Sequence, residues 1–255
     1  MLIEYDGGDF VGSQWQNNGR TVQGELEGAW EQLTQERNRI TLSGRTDAGV
    51  HAWGQVANLH TSTPRDLHTI LRGMNGILPE DVAVRKVWEA EPDFHARHSA
   101  TRRAYRYLID NGRVPSSLLR HRAAYVATRL DVAAMHTAAQ ALVGRHDFAP
   151  FTDGPQEGST VRNCFAVRCE QIELWGQLLV TVDIAANAFL RHMVRKIVGL
   201  LMLVGEGRAD VGSVAAVLEG AMRRPGLLAP AHGLYLMRVM YPGDTDDVPA
   251  EHGMD

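Results

Sequence analysis

Ala104-Tyr105-Arg106-Tyr107-Leu108-Ile109 alternates strictly, with Tyr105, Tyr107 and Ile109 on one side and Arg106 among the residues on the other. A period of two with aromatic and β-branched residues predicts a strand, and residues two apart in a strand share a face. The two tyrosines therefore belong to one aromatic patch with Arg106 opposite. Taken on spacing alone, both read as packing.

Everything before this strand and everything after it follow one order. Upstream, the pattern predicts a strand at Leu2 to Tyr5, a helix from Val22 to about Glu36 and strands near Arg39 to Ser43 and Val56 to Thr61. A helix near Leu67 to Gly73 and a strand at Val82 to Val87 complete that half. Leu26, Trp30 and Leu33 recur at helical spacing, whereas Val82, Val84 and Val87 suit a half-buried strand. Downstream come a helix at Val132 to Val143, strands at Val161 to Leu174 and Leu178 to Ala185, and a long helix from Phe189 to Val204. An extra helix near Val214 to Met222 and a strand at Leu234 to Met240 close the chain's regular part. Asp131 is placed to cap its helix, Gly144 to stop it, and Trp175-Gly176-Gln177 to form a hairpin turn.

Two βαββαβ runs make the expected fold class α+β. Two ferredoxin-like halves share an extended antiparallel sheet, with helices on one side and a central cleft. The expected division is residues 1–98 for the N-terminal domain, 99–243 for the C-terminal domain and 244–255 for a disordered acidic tail. The likeness between halves is one of element order, not of residues.

A length of 255 residues with 44% hydrophobic content supports a substantial core. The longest apolar run, Ile197 to Val204, is far too short to span a bilayer, and no charged segment leads into an apolar one at the N-terminus. A cytoplasmic protein with no membrane partner is expected. Cys164 and Cys169 lie five apart in an expected strand, so they are placed on opposite faces as free thiols, and their spacing fits no zinc pattern.

The formal net charge is −4, yet Arg97 to Arg122 holds seven arginines against the single Asp110. Such asymmetry marks an anionic partner. Only Lys86 and Lys196 are lysines. The guanidinium fork suits phosphate contacts and base stacking, although a GC-rich genome produces the same bias, and composition does not separate the two.

Gly44-Arg45-Thr46-Asp47-Ala48-Gly49-Val50-His51 places one carboxylate in a glycine-bracketed turn beside a guanidinium. Gly44 and Gly49 allow positive φ and close approach to the backbone, which would hold Asp47 out on a bent loop. Read from residues alone, the same octapeptide is equally an ordinary turn with an Arg45–Asp47 salt bridge. Arg191 and Arg195, four apart on the expected long helix, share a face, while Met193, Val194, Ile197 and Val198 are core. His192 reads as a phosphate contact or a capping group.

Six stretches in order carry a resemblance to the TruA-type tRNA pseudouridine synthases over nearly the whole chain. They are Ile3-Glu4-Tyr5-Asp6-Gly7, Gly44 to His51, Phe94-His95-Ala96-Arg97, Tyr105-Arg106-Tyr107, Asn187 to Arg195, and Gly233-Leu234-Tyr235-Leu236. The resemblance implies that Asp47 is the nucleophile, that Arg195 pairs with it, and that Tyr105 packs on the target uracil and acts in removing its C5 proton. It also implies that Arg45 helps hold a flipped nucleotide. The arginine block, with Arg97, Arg103 and Arg106, would contact RNA phosphates together with His51 and Arg191. The implied substrate is uridine at positions 38 to 40 of the tRNA anticodon stem-loop, the implied assembly is a homodimer, and neither a cofactor nor a metal is expected.

One local departure concerns the family's Gly-Trp-Gln, which here reads Gly12-Ser13-Gln14-Trp15-Gln16. In an extended segment a shift of two keeps the face, so Trp15 is expected in the same pocket. Two other readings use the same residues. A non-catalytic RNA-binding protein would use its aromatics as a stacking platform, and a glycoside-cleaving enzyme would need a second carboxylate that the matched stretches lack.

Overall fold

Why the two halves meet is answered by the last strand. A computed structural model describes residues 1–154, 158–222 and 226–244. The N-terminal half contains β1 (Leu2–Tyr5), α1 (Val22–Thr34), β2 (Thr41–Leu42), β3 (His51–Asn58), α2 (Leu67–Ile77) and β4 (Val82–Lys86). Then follow β5 (Arg102–Asp110), β6 (Ala124–Tyr125), α3 (Val132–Ala139), β7 (Gly144–Asp147), β8 (Val161–Leu174) and β9 (Gln177–Ala186). The chain continues through α4 (Met193–Gly205), α5 (Ser213–Leu218) and β10 (Leu234–Met240). The mostly antiparallel sheet runs β4-β1-β3-β10-β5-β9-β8-β7, with β2 beside β3 and β6 beside β5.

Strand β10 lies between β3, to which it is parallel, and β5, to which it is antiparallel. Leu236 sits opposite Ala52 on one side and Tyr105 on the other. At about 4.8 Å per strand, this row brings the start of β3 and the middle of β5 within roughly 10 Å. The loop that ends at His51 therefore emerges beside Tyr105, although the two lie far apart in sequence.

Local chemistry accounts for several element ends. The side chains of Thr21, Asp66 and Asp131 accept from the N–H groups of Gly24, Thr69 and Ala134 and cap α1, α2 and α3. Leu26 and Trp30 are buried on α1, and α4 is buried almost all round. A helix so enclosed draws its stability from burial, about 1.5–3 kcal/mol for each large apolar side chain. The β8–β9 turn has Trp175 at φ 52° and Gly176 at φ 75°, both positive as a type I′ hairpin turn needs.

Several expectations need correction. β3 begins at His51, five residues earlier than alternation placed it, because nearly all of it is buried and no polar face shows the period. α4 begins at Met193, not Phe189, since His192 adopts φ 61° and cannot continue a helix backwards. Arg191 therefore lies in the preceding turn and shares no helix face with Arg195. Finally, a bulge between Cys164 and Ala166 shifts the register, so Cys164 faces Ala186 and Cys169 faces Val182. Those partners have equal parity, which puts both cysteines on one face, buried and unpaired.

Most of the expected tail lies outside the described residues. Among the described residues, no helix is long and apolar enough to cross a membrane.

Candidate active site

The loop from Ser43 to Val50 is pinned at five of its eight residues. Ser43 donates through Oγ to Gln55, and Gln55 Nε2 donates to the Gly44 carbonyl at 2.9 Å. Thr46 N–H donates to Ser13 Oγ, its carbonyl accepts from Ser13 N–H, and its hydroxyl meets the Tyr5 hydroxyl at 2.8 Å. Asp47 bridges to Gly12, and its carbonyl accepts from Val50 N–H.

Gly49, at φ 77°, makes this bend possible; Gly44 has no positive φ and open space around it, so the expected bracket is one-sided. A Cβ on Gly49 would lie 3.2 Å from Ala231 Cβ. Gly49→Ala is expected to destabilise the protein by about 1–2 kcal/mol, from left-handed strain plus this contact. Urea titration at constant m-value tests it, and an unchanged midpoint refutes it.

The Asp47 side chain is 34% exposed, and both of its ion pairs reach the same oxygen. Arg195 Nη1 lies 3.5 Å from Oδ2 and His192 Nε2 lies 3.6 Å from it. Neither Asp47 oxygen makes a hydrogen bond among the described residues, and these two ion pairs are the shortest approaches to it. Arg195 is itself steadied by Nε donating to the Ala229 carbonyl at 2.8 Å. His192 holds Asp153 Oδ2 at 2.8 Å through Nδ1, and buried Lys196 pairs with the other Asp153 oxygen.

Arg45 forms no ion pair with Asp47, so the simple turn salt bridge is excluded. Its exposed side chain instead lines a pocket of about 240 Å³ with Gln14, Arg39, His95 and Arg97.

The structure separates the two tyrosines that spacing left equal. Tyr107 donates its hydroxyl to the Pro230 carbonyl and is fully buried. Tyr105 is 8% exposed, meets Phe189 edge-on at 5.0 Å, and its hydroxyl has no partner among the described residues. Burial, helped by the nearby Tyr5 and Asp47, pushes its phenol well above the ordinary tyrosine range, so it stays protonated.

Other expected site residues are committed elsewhere. His51 is 2% exposed and stacked on Tyr235 at 4.8 Å. Nε2 faces the His232 carbonyl at 3.1 Å, which only accepts, leaving Nδ1 to accept from Gly7 N–H at 3.0 Å. Burial lowers its pKa, in line with a neutral ring, while Asp6 at 2.9 Å opposes the shift. The expected phosphate contact by His51 does not fit this placement. Arg106 is turned onto Asp183 through two hydrogen bonds, at 2.7 and 3.1 Å.

Arg103 donates to the carbonyls of Ser43, Arg97, Ala100 and Asn187, tying three loops together beside the site. Burial depresses its pKa below the usual arginine value. Arg97 and Arg191 have exposed side chains, and the Arg191 carbonyl accepts from Thr152. Trp15 is 49% exposed under Arg39, in irregular backbone rather than a strand, so it does not fill the expected pocket.

Sequence reasoning missed Asp153 entirely and left His192 without its carboxylate partners. Asp153 sits in a turn-rich segment with no periodicity, and only tertiary contact marks it. Among the described residues, no cluster of three or more His, Cys, Asp or Glu could hold a metal ion.

Comparison with known proteins gives one answer. A family model described as tRNA pseudouridine synthase matches residues 1–99 and 138–242, with Tyr105 between the two stretches. The tRNA pseudouridine synthase A of Roseiflexus sp. (strain RS-1) is 65% identical over 258 residues, covering 100% of this chain and 96% of that protein. The protein of the same name from Roseiflexus castenholzii (strain DSM 13941 / HLO8) is 66% identical, covering 96% and 90%. That from Chloroflexus aurantiacus (strain ATCC 29366 / DSM 635 / J-10-fl) is 55% identical, covering 95% and 88%.

Proposed function

Since the chain belongs to the tRNA pseudouridine synthase family and is an isomerase acting on tRNA, we propose that it converts uridine to pseudouridine at positions 38 to 40 of the anticodon stem-loop, with Asp47 as nucleophile. The observation that supports this most directly is the carboxylate itself: Arg195 and His192 make their shortest approaches to one oxygen, at 3.5 and 3.6 Å, and neither oxygen accepts a hydrogen bond among the described residues.

The reaction breaks the bond from ribose C1′ to N1, turns the uracil, joins C5 to C1′ and releases the C5 proton. All atoms come from the nucleotide apart from proton exchange, so the chemistry requires no cofactor. Asp47 Oδ1 either adds to C1′ or removes the C2′ proton to give a glycal, and both routes need an ionised carboxylate. Arg195 preserves that charge once RNA has displaced water.

A stacked uridine must leave the helix to be reached, at a cost of a few kcal/mol. Arg45 holds the everted nucleotide and fills its place, and the pocket it shares with Arg39 and Arg97 takes the adjoining backbone. Tyr105 packs on the uracil. Because its phenol is protonated, its hydroxyl gives its own proton to N1 of the turned uracil or to water as it takes the one from C5, rather than acting as a preformed phenolate.

Each half is read as ferredoxin-like, residues 1–98 and 99–243, with the helices on one side of the shared sheet and the RNA cleft between the halves. Strand orders β4-β1-β3-β2 and β10-β5-β9-β8 support this reading. A homodimer in the cytoplasm would let one tRNA lean across two subunits and gather positive charge that a chain of net charge −4 lacks.

Incubating the protein with unmodified tRNA transcripts and mapping pseudouridine by carbodiimide-blocked primer extension tests the assignment. New stops at 38 to 40 are expected; none in the anticodon arm would end it. Tyr105→Phe keeps the ring against Phe189 and should leave thermal stability unchanged. Tritium release from [5-³H]uridine tRNA should slow about 10²-fold, the scale of lost proton-transfer catalysis. Release at the parental rate removes the hydroxyl from the mechanism.

A further inference from the structure

The geometry points to His192 as a positioning residue that sets the rotation of the Asp47 carboxylate. This rests on the proposed nucleophilic role of Asp47. The imidazole holds Oδ2 so that Oδ1 remains free for the sugar.

Three observations carry it. His192 is a non-glycine residue at φ 61°, a strained conformation that persists only where its surroundings impose it. Those surroundings are present: Thr152 donates to the Arg191 carbonyl, Lys196 N–H donates to the His192 carbonyl at 3.0 Å, and Asp153 holds Nδ1 at 2.8 Å. Lys196, one helical turn beyond His192, secures the second Asp153 oxygen. The ring is thus oriented by a carboxylate that is itself oriented.

The consequence at Asp47 follows from the character of its other partner. A guanidinium tends to take both oxygens of a carboxylate in a two-point fork, which would engage the attacking oxygen. Here Arg195 makes its shortest approach through Nη1, its Nε being given to the Ala229 carbonyl, and His192 Nε2 approaches the same Oδ2. An N–H at Nε2, beside the one that Nδ1 gives Asp153, lets His192 join Arg195 in opposing rotation of the carboxylate toward the fork. Among the described residues, His192 faces Asp47 and Asp153 from the loops, and Arg195 and Lys196 of α4 pair with those same two carboxylates.

His192→Gly and His192→Asn both tolerate the left-handed turn, which separates loss of the ring from loss of the fold. In single-turnover assays on tRNA, each is expected to slow pseudouridine formation about tenfold with less than about twofold change in tRNA affinity. Added imidazole should restore part of the His192→Gly rate. Asp153→Asn should act in the same direction, and combining it with His192→Gly should add nothing further. Rates within about twofold of the parent, or a loss confined to affinity, overturn the proposal.

Ring ¹⁵N spectra of the free protein give a second readout that needs no turnover. His192 signals should move on Asp47→Asn, and their failure to move also overturns the coupling. Full activity in Asp47→Asn would instead overturn the nucleophile assignment, a result distinct from either failure at His192.

Discussion

Asp47→Asn is expected to abolish pseudouridine formation, with a loss of at least about 10⁴-fold in single-turnover rate, while tRNA affinity stays within a few-fold of the parent. The asparagine is nearly isosteric, so the backbone pins at Ser43, Gly44 and Thr46 remain. What disappears is the negative charge and the nucleophilic oxygen, which neither the sugar-addition route nor the glycal route can do without. Arg195 and His192 lose their counter-charge, and that should alter stability far less than it alters rate, because Asp47 is one-third exposed. Filter binding on a tRNA transcript, run beside primer-extension mapping, separates the two effects. An Asn variant that still forms product at a tenth of the parental rate would require another nucleophile.

Arg195→Met carries the second largest expected effect. Methionine fills much of the same space on a buried helix but leaves the Asp47 charge with His192 alone. The rate should fall about 10²- to 10³-fold, as when a preorganised electrostatic partner is removed from a dry site. Loss of the bond from Nε to the Ala229 carbonyl should cost stability about 1 kcal/mol. Arg195→Lys is expected to recover part of the rate but not all, since an ammonium cannot serve Ala229 and Asp47 together as the guanidinium does. Thermal melting checks that each variant is folded. If Arg195→Met turned over uridine within threefold of the parent, the carboxylate would not depend on this partner.

How legible the molecule was differs between its strands and its turns. Leu2–Tyr5, Val161–Leu174 and Leu234–Met240 ended where alternation placed them. β3 did not, because burial on both faces erases the period that announces a strand. The start of α4 was hidden by His192, since nothing in Phe189-Leu190-Arg191-His192 signals a left-handed residue. β7 was invisible because Gly144, a reasonable helix stop, turned out to open a strand at φ 110°.

The arginine block shows the same limit. Spacing predicted a basic surface, but Arg106 and Arg122 are paired with Asp183 and Asp6, and Arg103 is occupied by four carbonyls. Counting charges gives no view of which are neutralised within the fold.

By itself, then, the sequence determined which residue types were available: a carboxylate in a tight turn, a tyrosine strand, a basic helix, and an element order repeated twice. Those follow from local periodicity and from motif identity, which are properties of neighbouring residues. Only the tertiary structure decided that Asp47 meets Arg195 and His192 rather than Arg45, that the Tyr107 hydroxyl is tied to Pro230 while that of Tyr105 has no partner among the described residues, and that Asp153 stands behind the site. The reason is physical: these contacts are set by the placement of β10 between β3 and β5 and by the packing of α4, and they join residues that sequence separation leaves unrelated.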